Sequence, residues 1–200
     1  MADTLLFYDT ETSDMPLWSK PSSDKDQPHI LQVAALLVDA SSRKTIASID
    51  LTVRPDGWSI NPEALAVHGI TEEHAQRVGV SETTALTALH DLWQRATARV
   101  GHVESFDARI VRIALLRHGW GTSLADAWKA GSAECTAELS KPHVSPKGRA
   151  RGPKLADAYR HYFGTDFPDA HSARADAEAC AAVYWAVRDR HPSPKERKTR

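Results

Sequence analysis

The sequence predicts one α/β domain whose core is a five-stranded mixed sheet flanked by helices. Three observations predict it. Three strand-like runs crowd the first 53 residues, the second and third separated only by a short polar turn. After them, helical patterns alternate with two further short strand-like runs. With 200 residues, 42% of them hydrophobic and 26% charged, the chain suffices for one full core.

Leu5-Leu6-Phe7-Tyr8 is a short, continuous apolar run, the pattern of a central buried strand, and it ends at Asp9-Thr10-Glu11-Thr12. A polar stretch containing Pro16, Pro21, Ser22, Ser23, Asp24 and Pro28 follows and reads as a long loop. Ile30 to Asp39 is the second strand. Thr45 to Val53 is the third, after the turn Ser41-Ser42-Arg43-Lys44, and the three form an antiparallel meander. Asn61 is placed to cap a helix with Pro62 in its first turn, and that helix stops near Gly69. Thr71-Glu72-Glu73 opens a short helix. Ser81 caps a longer one whose apolar face is Leu86, Leu89 and Trp93. Arg99 to Val103 is the fourth strand. Phe106 to His118 is a helix with Phe106, Ile110, Ile113 and Ala114 on its buried face and Gly119 beyond its end. Ser132 to Cys135 is the fifth strand, Ser140 to Pro153 a basic loop, Leu155 to Phe163 a helix closed by Gly164, and Ala173 to Arg190 an alanine-rich helix. The domain is expected over residues 1–190, with a basic, disordered tail over 191–200.

Two cysteines, Cys135 and Cys180, form no Cys-x-x-Cys pair, so neither a zinc site nor a disulfide framework is suggested; this fits a reducing cytoplasm. The run that ends at Tyr8 is too short for a signal peptide, and no apolar run reaches membrane-spanning length, so no membrane partner is expected. The net charge of −1 conceals an uneven distribution. Lys141, Lys147, Arg149, Arg151 and Lys154 occur without an acid among them, and Arg190, Lys195, Arg197, Lys198 and Arg200 with only Glu196. An acidic body therefore carries two basic segments, which suits a protein that gathers cations at one place and phosphates at another. A solvated loop and a free tail are the plainer alternative.

Three clusters carry chemistry. Asp9 and Glu11 are two apart at the end of a strand, so both side chains face the same space. Two anions so placed resist full ionisation unless a cation lies between them, and hard divalent ions such as Mg²⁺ or Mn²⁺ fill that role. The alternative is a loop that merely contains acids. In Gly101-His102-Val103-Glu104-Ser105-Phe106-Asp107 a strand ends and Asp107 opens a helix, where an acid also serves as an ordinary cap. In His171-Ser172-Ala173-Arg174-Ala175-Asp176 the surrounding alanines let the helix approach the sheet, bringing Asp176 near the strand ends. Histidine side chains titrate near neutrality, so His171 is suited to take a proton from water. A surface histidine and a solvated aspartate are the plainer reading.

In combination and order, these clusters resemble the DnaQ-like exonucleases of the DEDDh subgroup. Asp9-Thr10-Glu11-Thr12 resembles their first motif, His102 to Asp107 the second and His171 to Asp176 the third. Ile30-Leu31-Gln32-Val33-Ala34 resembles the family's second strand, and Ile60-Asn61-Pro62-Glu63-Ala64 through Val67-His68-Gly69-Ile70-Thr71 its segment beside the terminal nucleotide. Cys135-Thr136 and the helix from Leu155 also have counterparts. The resemblance implies a ribonuclease H-like fold and a two-metal 3′→5′ exonuclease using Mg²⁺ or Mn²⁺. It implies Asp9, Glu11, Asp107 and Asp176 as metal ligands and His171 as general base. Thr10, Glu63 and His68, with Phe106, would hold the 3′-terminal nucleotide. Independently of the resemblance, the acid-free basic loop from Lys141 to Lys154, with Lys147, Arg149 and Arg151, is expected to contact the strand's backbone. Nucleic acid is the implied partner, DNA before RNA, with a polymerase as a further candidate. The alternative is an inactive nucleic-acid-binding or polymerase-docking module of the same fold; the presence of all five site residues argues against it. Two features depart from the pattern. Val103 stands where the family usually has asparagine. The loop from Ser13 to Pro28 places Met15, Leu17 and Trp18 beside the site, where Trp18 either stacks on a base or lies on the protein's own surface.

Overall fold

The central strand of the sheet is the first one in the chain, and its two neighbours run in opposite senses. A computed structural model of the protein describes residues 3–145, 151–168 and 170–192. The strands are β1 (Thr4–Thr12), β2 (Ile30–Asp39), β3 (Thr45–Thr52), β4 (Ala98–Gly101) and β5 (Ala133–Cys135), in the order β3-β2-β1-β4-β5. The β1–β2 and β2–β3 pairs are antiparallel, and β1–β4 and β4–β5 are parallel. The expected five-stranded mixed sheet is therefore present. The helices are α1 (Pro62–His68), α2 (Glu72–Val78), α3 (Glu82–Trp93), α4 (Glu104–Arg117), α5 (Thr122–Ala130), α6 (Thr136–Val144), α7 (Leu155–Phe163) and α8 (Ala173–Arg190). Among the described residues, no helix is long and apolar enough to cross a membrane.

Alternation along β1 sorts the helices onto two faces. Leu6 and Tyr8 join Leu86 and Leu89 of α3, Ile110 and Ile113 of α4 and Trp128 of α5 in one core. Leu5 and Phe7 pack on the other face against Cys180, Tyr184 and Trp185 of α8. A third cluster, Ala158 and Tyr162 with Val183 and Val187, fastens α7 to α8. Each such large apolar side chain, once buried, contributes roughly 1.5–3 kcal/mol. The alanines Ala173, Ala177 and Ala179 are buried, which lets α8 lie close to the sheet.

β1 runs through Thr12, so Asp9 and Glu11 lie at the end of the strand as expected. Two boundaries differ from expectation. β4 stops at Gly101, and Val103 lies outside it. The segment from Ser140, expected as a loop, is helical as far as Val144. Pro142 lies within that helix, lacking only the amide hydrogen that its turn would have used. α5 and α6 are not among the elements that the sequence predicts.

Two polar networks hold the site's supports. Arg99 of β4 is 1% exposed; its Nε donates to Glu104 Oε1 at 3.0 Å, its guanidinium lies 4.2 Å from the Trp128 ring centroid, and it also donates to the Trp128 carbonyl. The Tyr8 hydroxyl donates to the same Glu104 oxygen at 2.9 Å. This ties the start of α4 to the two parallel strands. At the far end of α4, Glu82 accepts from the Ile30 amide (2.8 Å) and lies against His29 (2.9 Å) and His118 (2.8 Å). Burial would raise its pKa, but the hydrogen bonds from both histidines prevail and bring it to about 2.

The loop from Ser13 to Pro28 is closed at its base by Ser13, whose amide donates to His29 O (3.0 Å) and whose Oγ accepts from His29 N (2.9 Å). Inside it, the buried Gln27 amide accepts from Leu17 N (3.0 Å) and donates to Leu17 O (3.0 Å) and Pro21 O (3.0 Å). Arg109 of α4 adds bonds to Leu17 O (2.9 Å) and Lys20 O (2.7 Å). A long loop thereby acquires a fixed shape.

Val103, immediately before α4, has φ 61° and ψ 45°. This left-handed conformation is costly for a β-branched residue, by about 1–2 kcal/mol, while asparagine visits it readily. The turn thus favours the asparagine usual in the family for a backbone reason. Val103→Asn is expected to stabilise the protein by about 1 kcal/mol, read as a higher thermal midpoint. An unchanged or lower midpoint would show that the turn carries no such strain. Glu104→Ala, by contrast, leaves the Arg99 guanidinium buried without its carboxylate and is expected to cost about 3 kcal/mol in urea denaturation.

Candidate active site

Parity along β1 decides what faces what. Asp9 and Glu11 share the face of Leu5 and Phe7, toward α8, whereas Thr10 shares the α4 face. Asp176 lies in the first turn of α8, on the side that Asp9 and Glu11 face. One carboxylate oxygen from each of Asp9, Glu11 and Asp176 can be chosen so that all three lie within 4.8 Å of one another. Asp107, in the first turn of α4, enters from the other side of the strand end. Its Oδ1 accepts from Thr10 N at 2.9 Å and from Thr10 Oγ1 at 2.7 Å. Thr10, expected to hold the 3′-terminal nucleotide, directs both its amide and its hydroxyl at Asp107.

All four carboxylates, with His171, Phe106, His102 and Val103, line one cavity of about 320 Å³. Their charges are poorly matched to it. Burial, then the charges of Asp107, Asp176 and Glu11, hold the Asp9 carboxyl well above the usual range. Glu11 is pushed up to about 8 by burial and by Asp176 and Asp107. Burial raises Asp107 despite the Thr10 hydrogen bonds that oppose it, and burial raises Asp176 as well. Removal from water and mutual repulsion act together here, and a cation between the acids relieves both. The donor set is oxygen throughout, which fits hard divalent ions such as Mg²⁺ or Mn²⁺.

His171 precedes α8 with φ 70°; it is exposed, and its amide points toward Asp176 Oδ1 at 3.4 Å. His102 has a different place. Its Nε2 donates to Pro153 O (3.0 Å) while its Nδ1 accepts from Thr136 Oγ1 (2.8 Å). Burial lowers its pKa, so the neutral ring acts as a strut between β4 and the segment leading to α7. In the sequence His102 stands out only as part of a motif.

The remaining candidates lie around the cavity rather than in it. α1 is attached beside the end of β1: the Asn61 amide donates to Ser13 O at 2.8 Å, and its side chain to Asp14 Oδ2 at 3.0 Å. Glu63 is exposed on its first turn. His68, at its end, takes the Ile70 amide on Nδ1 at 3.0 Å, and burial lowers its pKa against the opposing effect of the Thr12 backbone. Trp18 and Arg151 line an adjoining groove of about 1010 Å³, together with Val103 and Phe106. Lys147 and Arg149 lie outside the described residues.

Comparison with known proteins bears on the family and the fold. The sequence model of the family described as "Exonuclease" (RNase_T) matches residues 6–184. Curated proteins gave no match. Among solved structures, Escherichia coli Exonuclease I in complex with a dT13 oligonucleotide is similar with a TM-score of 0.75 at 23% identity, over 95% of this chain and 42% of that one. The same enzyme with a dA16 oligonucleotide gives 0.71 at 23%, over 95% and 41%. Exonuclease I from Methylocaldum szegediense gives 0.74 at 22%, over 96% and 41%. The chain thus spans about two fifths of the length of these structures, and at such identities the likeness speaks for the fold. With the family match over most of its length, the chain belongs to the DnaQ-like exonuclease family.

Proposed function

We propose that the chain is a metal-dependent 3′→5′ exonuclease of the DEDDh type that releases nucleoside 5′-monophosphates from single-stranded or frayed DNA ends. The observation that carries this reading is the convergence of four carboxylates and one histidine on a single small cavity at the end of β1. The oligonucleotide complexes of Exonuclease I, a protein of the same fold, favour a single DNA strand as substrate. In this reading Asp9, Glu11, Asp107 and Asp176 hold two divalent ions. When bound, such ions lower the pKa of an attacking water and offset the charge that develops on the phosphate and the leaving 3′ oxygen.

The chain's own groups divide the remaining work. His171 accepts the proton of the attacking water; its exposed position before α8 gives the ring access to the cavity. Thr10 keeps one Asp107 oxygen oriented, which leaves the other free to act as a ligand. Phe106 offers a ring to the terminal base, and Glu63 and His68 bound the terminal nucleotide from α1. Arg151, with Lys147 and Arg149, contacts backbone phosphates without reading sequence. The catalytic unit is residues 1–190, with the basic segment 191–200 outside it.

The test is digestion of end-labelled single-stranded DNA, duplex DNA and RNA in Mg²⁺, with mononucleotide products identified. Single-stranded DNA should be degraded fastest, and chelator should stop the reaction. His171→Ala should slow it about 10²–10⁴-fold. Full digestion in excess chelator, or full speed without His171, would sink the mechanism.

The carboxylates also make a prediction independent of activity. Glu11 holds its proton more tightly in the folded chain than in the unfolded one. Its contribution to stability is thus complete below pH 4.5 and lost as the pH rises to about 8. Asp9, Asp107 and Asp176 shift in the same direction. In chelator, urea stability should therefore decline across this window. Asp9→Asn should flatten the decline, and Mg²⁺ should oppose it. A flat profile in chelator would contradict the charge arrangement.

A further inference from the structure

We infer that Trp18, with Met15, forms a stacking wall for bases of the single strand behind the terminal nucleotide. The inference rests on the exonuclease reading for its ligand and on the following observations for its place. Trp18 is 55% exposed and Met15 62% exposed, unusual for large apolar side chains on an ordered loop. Both line the groove of about 1010 Å³, which shares Val103 and Phe106 with the carboxylate cavity, so the two spaces adjoin. The loop beneath them is fixed by Gln27 and by Arg109, whose guanidinium lies 4.9 Å from the centroid of the Trp18 ring. Arg109 does not line the groove. It supports the ring on one face while much of the remainder stays open. A tryptophan held in this way is a platform rather than a side chain buried on the protein's own surface.

The charge of the groove selects the occupant. Each acid of its lining already has a basic partner: Glu104 with Arg99, Glu134 with Arg188, Glu138 with Lys141 and Asp157 with Arg160. Arg151 and Lys154 also line it, and neither has an ion-pair partner among the described residues. An apolar wall with Trp18 and a wall with free cations together fit a polymer with flat apolar faces and an anionic backbone. A single nucleic-acid strand has both, and every base presents a π face, so the wall tolerates any sequence. An acidic peptide would satisfy the cations but leave the tryptophan face without a flat partner.

The experiment is binding of oligo(dT) of increasing length, from two to twelve nucleotides, by fluorescence anisotropy in chelator, where no hydrolysis intervenes. The wild-type chain should bind more tightly with each of the first added nucleotides. Trp18→Ala should lose most of that gain, roughly tenfold in affinity for the longer strands. Trp18→Phe should keep most of it, and the salt dependence should persist because the phosphate contacts are intact. A Trp18→Ala variant that gains affinity with length as the wild type does would overturn the inference. So would equal losses in the Ala and Phe variants with a lowered thermal midpoint, which would mark Trp18 as a structural support. Since the readout is binding alone, absence of exonuclease activity in Mg²⁺ would refute the proposed function and leave this measurement interpretable.

Discussion

Four carboxylates that repel one another share the end of β1, and the surrounding architecture opposes their separation. Left to themselves, such groups would spread into solvent, at a gain of hydration and of Coulomb energy. Each is instead held by something that has no charge to offer. Asp9 and Glu11 are fixed by strand pairing, opposite Ala34 and Gln32 of β2. Asp107 is fixed by the amide and hydroxyl of Thr10. Asp176 is fixed by a helix whose alanine surface lies close to the sheet. Among the described residues, no lysine or arginine lines the cavity, so none of them neutralises the anionic charge from within the site.

Rigidity must then come from elsewhere, and the basic groups that supply it lie on the far side of the supporting elements. Arg99 stands on the opposite face of β4, where it secures the start of α4 through Glu104 and Tyr8. Arg117, at the other end of the same helix, joins Glu82 and the carbonyls of Gln27 and Pro28. α4 is thus fastened at both ends to strands and loop, and Asp107 and Phe106 inherit that position. This separates two tasks that one set of charges could not perform together: holding the fold, and leaving the cavity attractive to cations.

The sequence made the carboxylate side of this legible and the supporting side much less so. The apolar run from Leu5 to Tyr8 gave β1 its place, and period-two alternation put Asp9 and Glu11 on one face. The chain turns polar at Asp9 while the strand runs on to Thr12, a change caused by the site and not by the end of the strand. Arg99 reads as a surface residue, since burial of a guanidinium depends on Glu104 and Trp128 arriving from other elements. Glu82 meets its histidine partners across 53 and 36 residues, a separation no local pattern reveals. Pro142 and Lys141 disguised α6 as loop, although a proline near a helix end removes only one hydrogen bond. The substitution at Val103 was visible, but its backbone meaning depended on the φ angle.

The hub formed by Gln27 has a thermodynamic consequence. One buried side-chain amide fixes the shape of the loop that carries Met15, Leu17 and Trp18. The conformational entropy of ordering that loop is therefore lost during folding, not when something docks against it. Any molecule that settles there meets a surface already in place, and immobilised rotamers subtract little from its affinity. The arrangement also has a vulnerability. Conversion of the Gln27 amide to a carboxylate would keep the shape of the side chain but replace a donor with an anion facing three carbonyls. A single atom's change, hydrolytic or mutational, would thus turn the centre of the loop from a bond-maker into a source of repulsion.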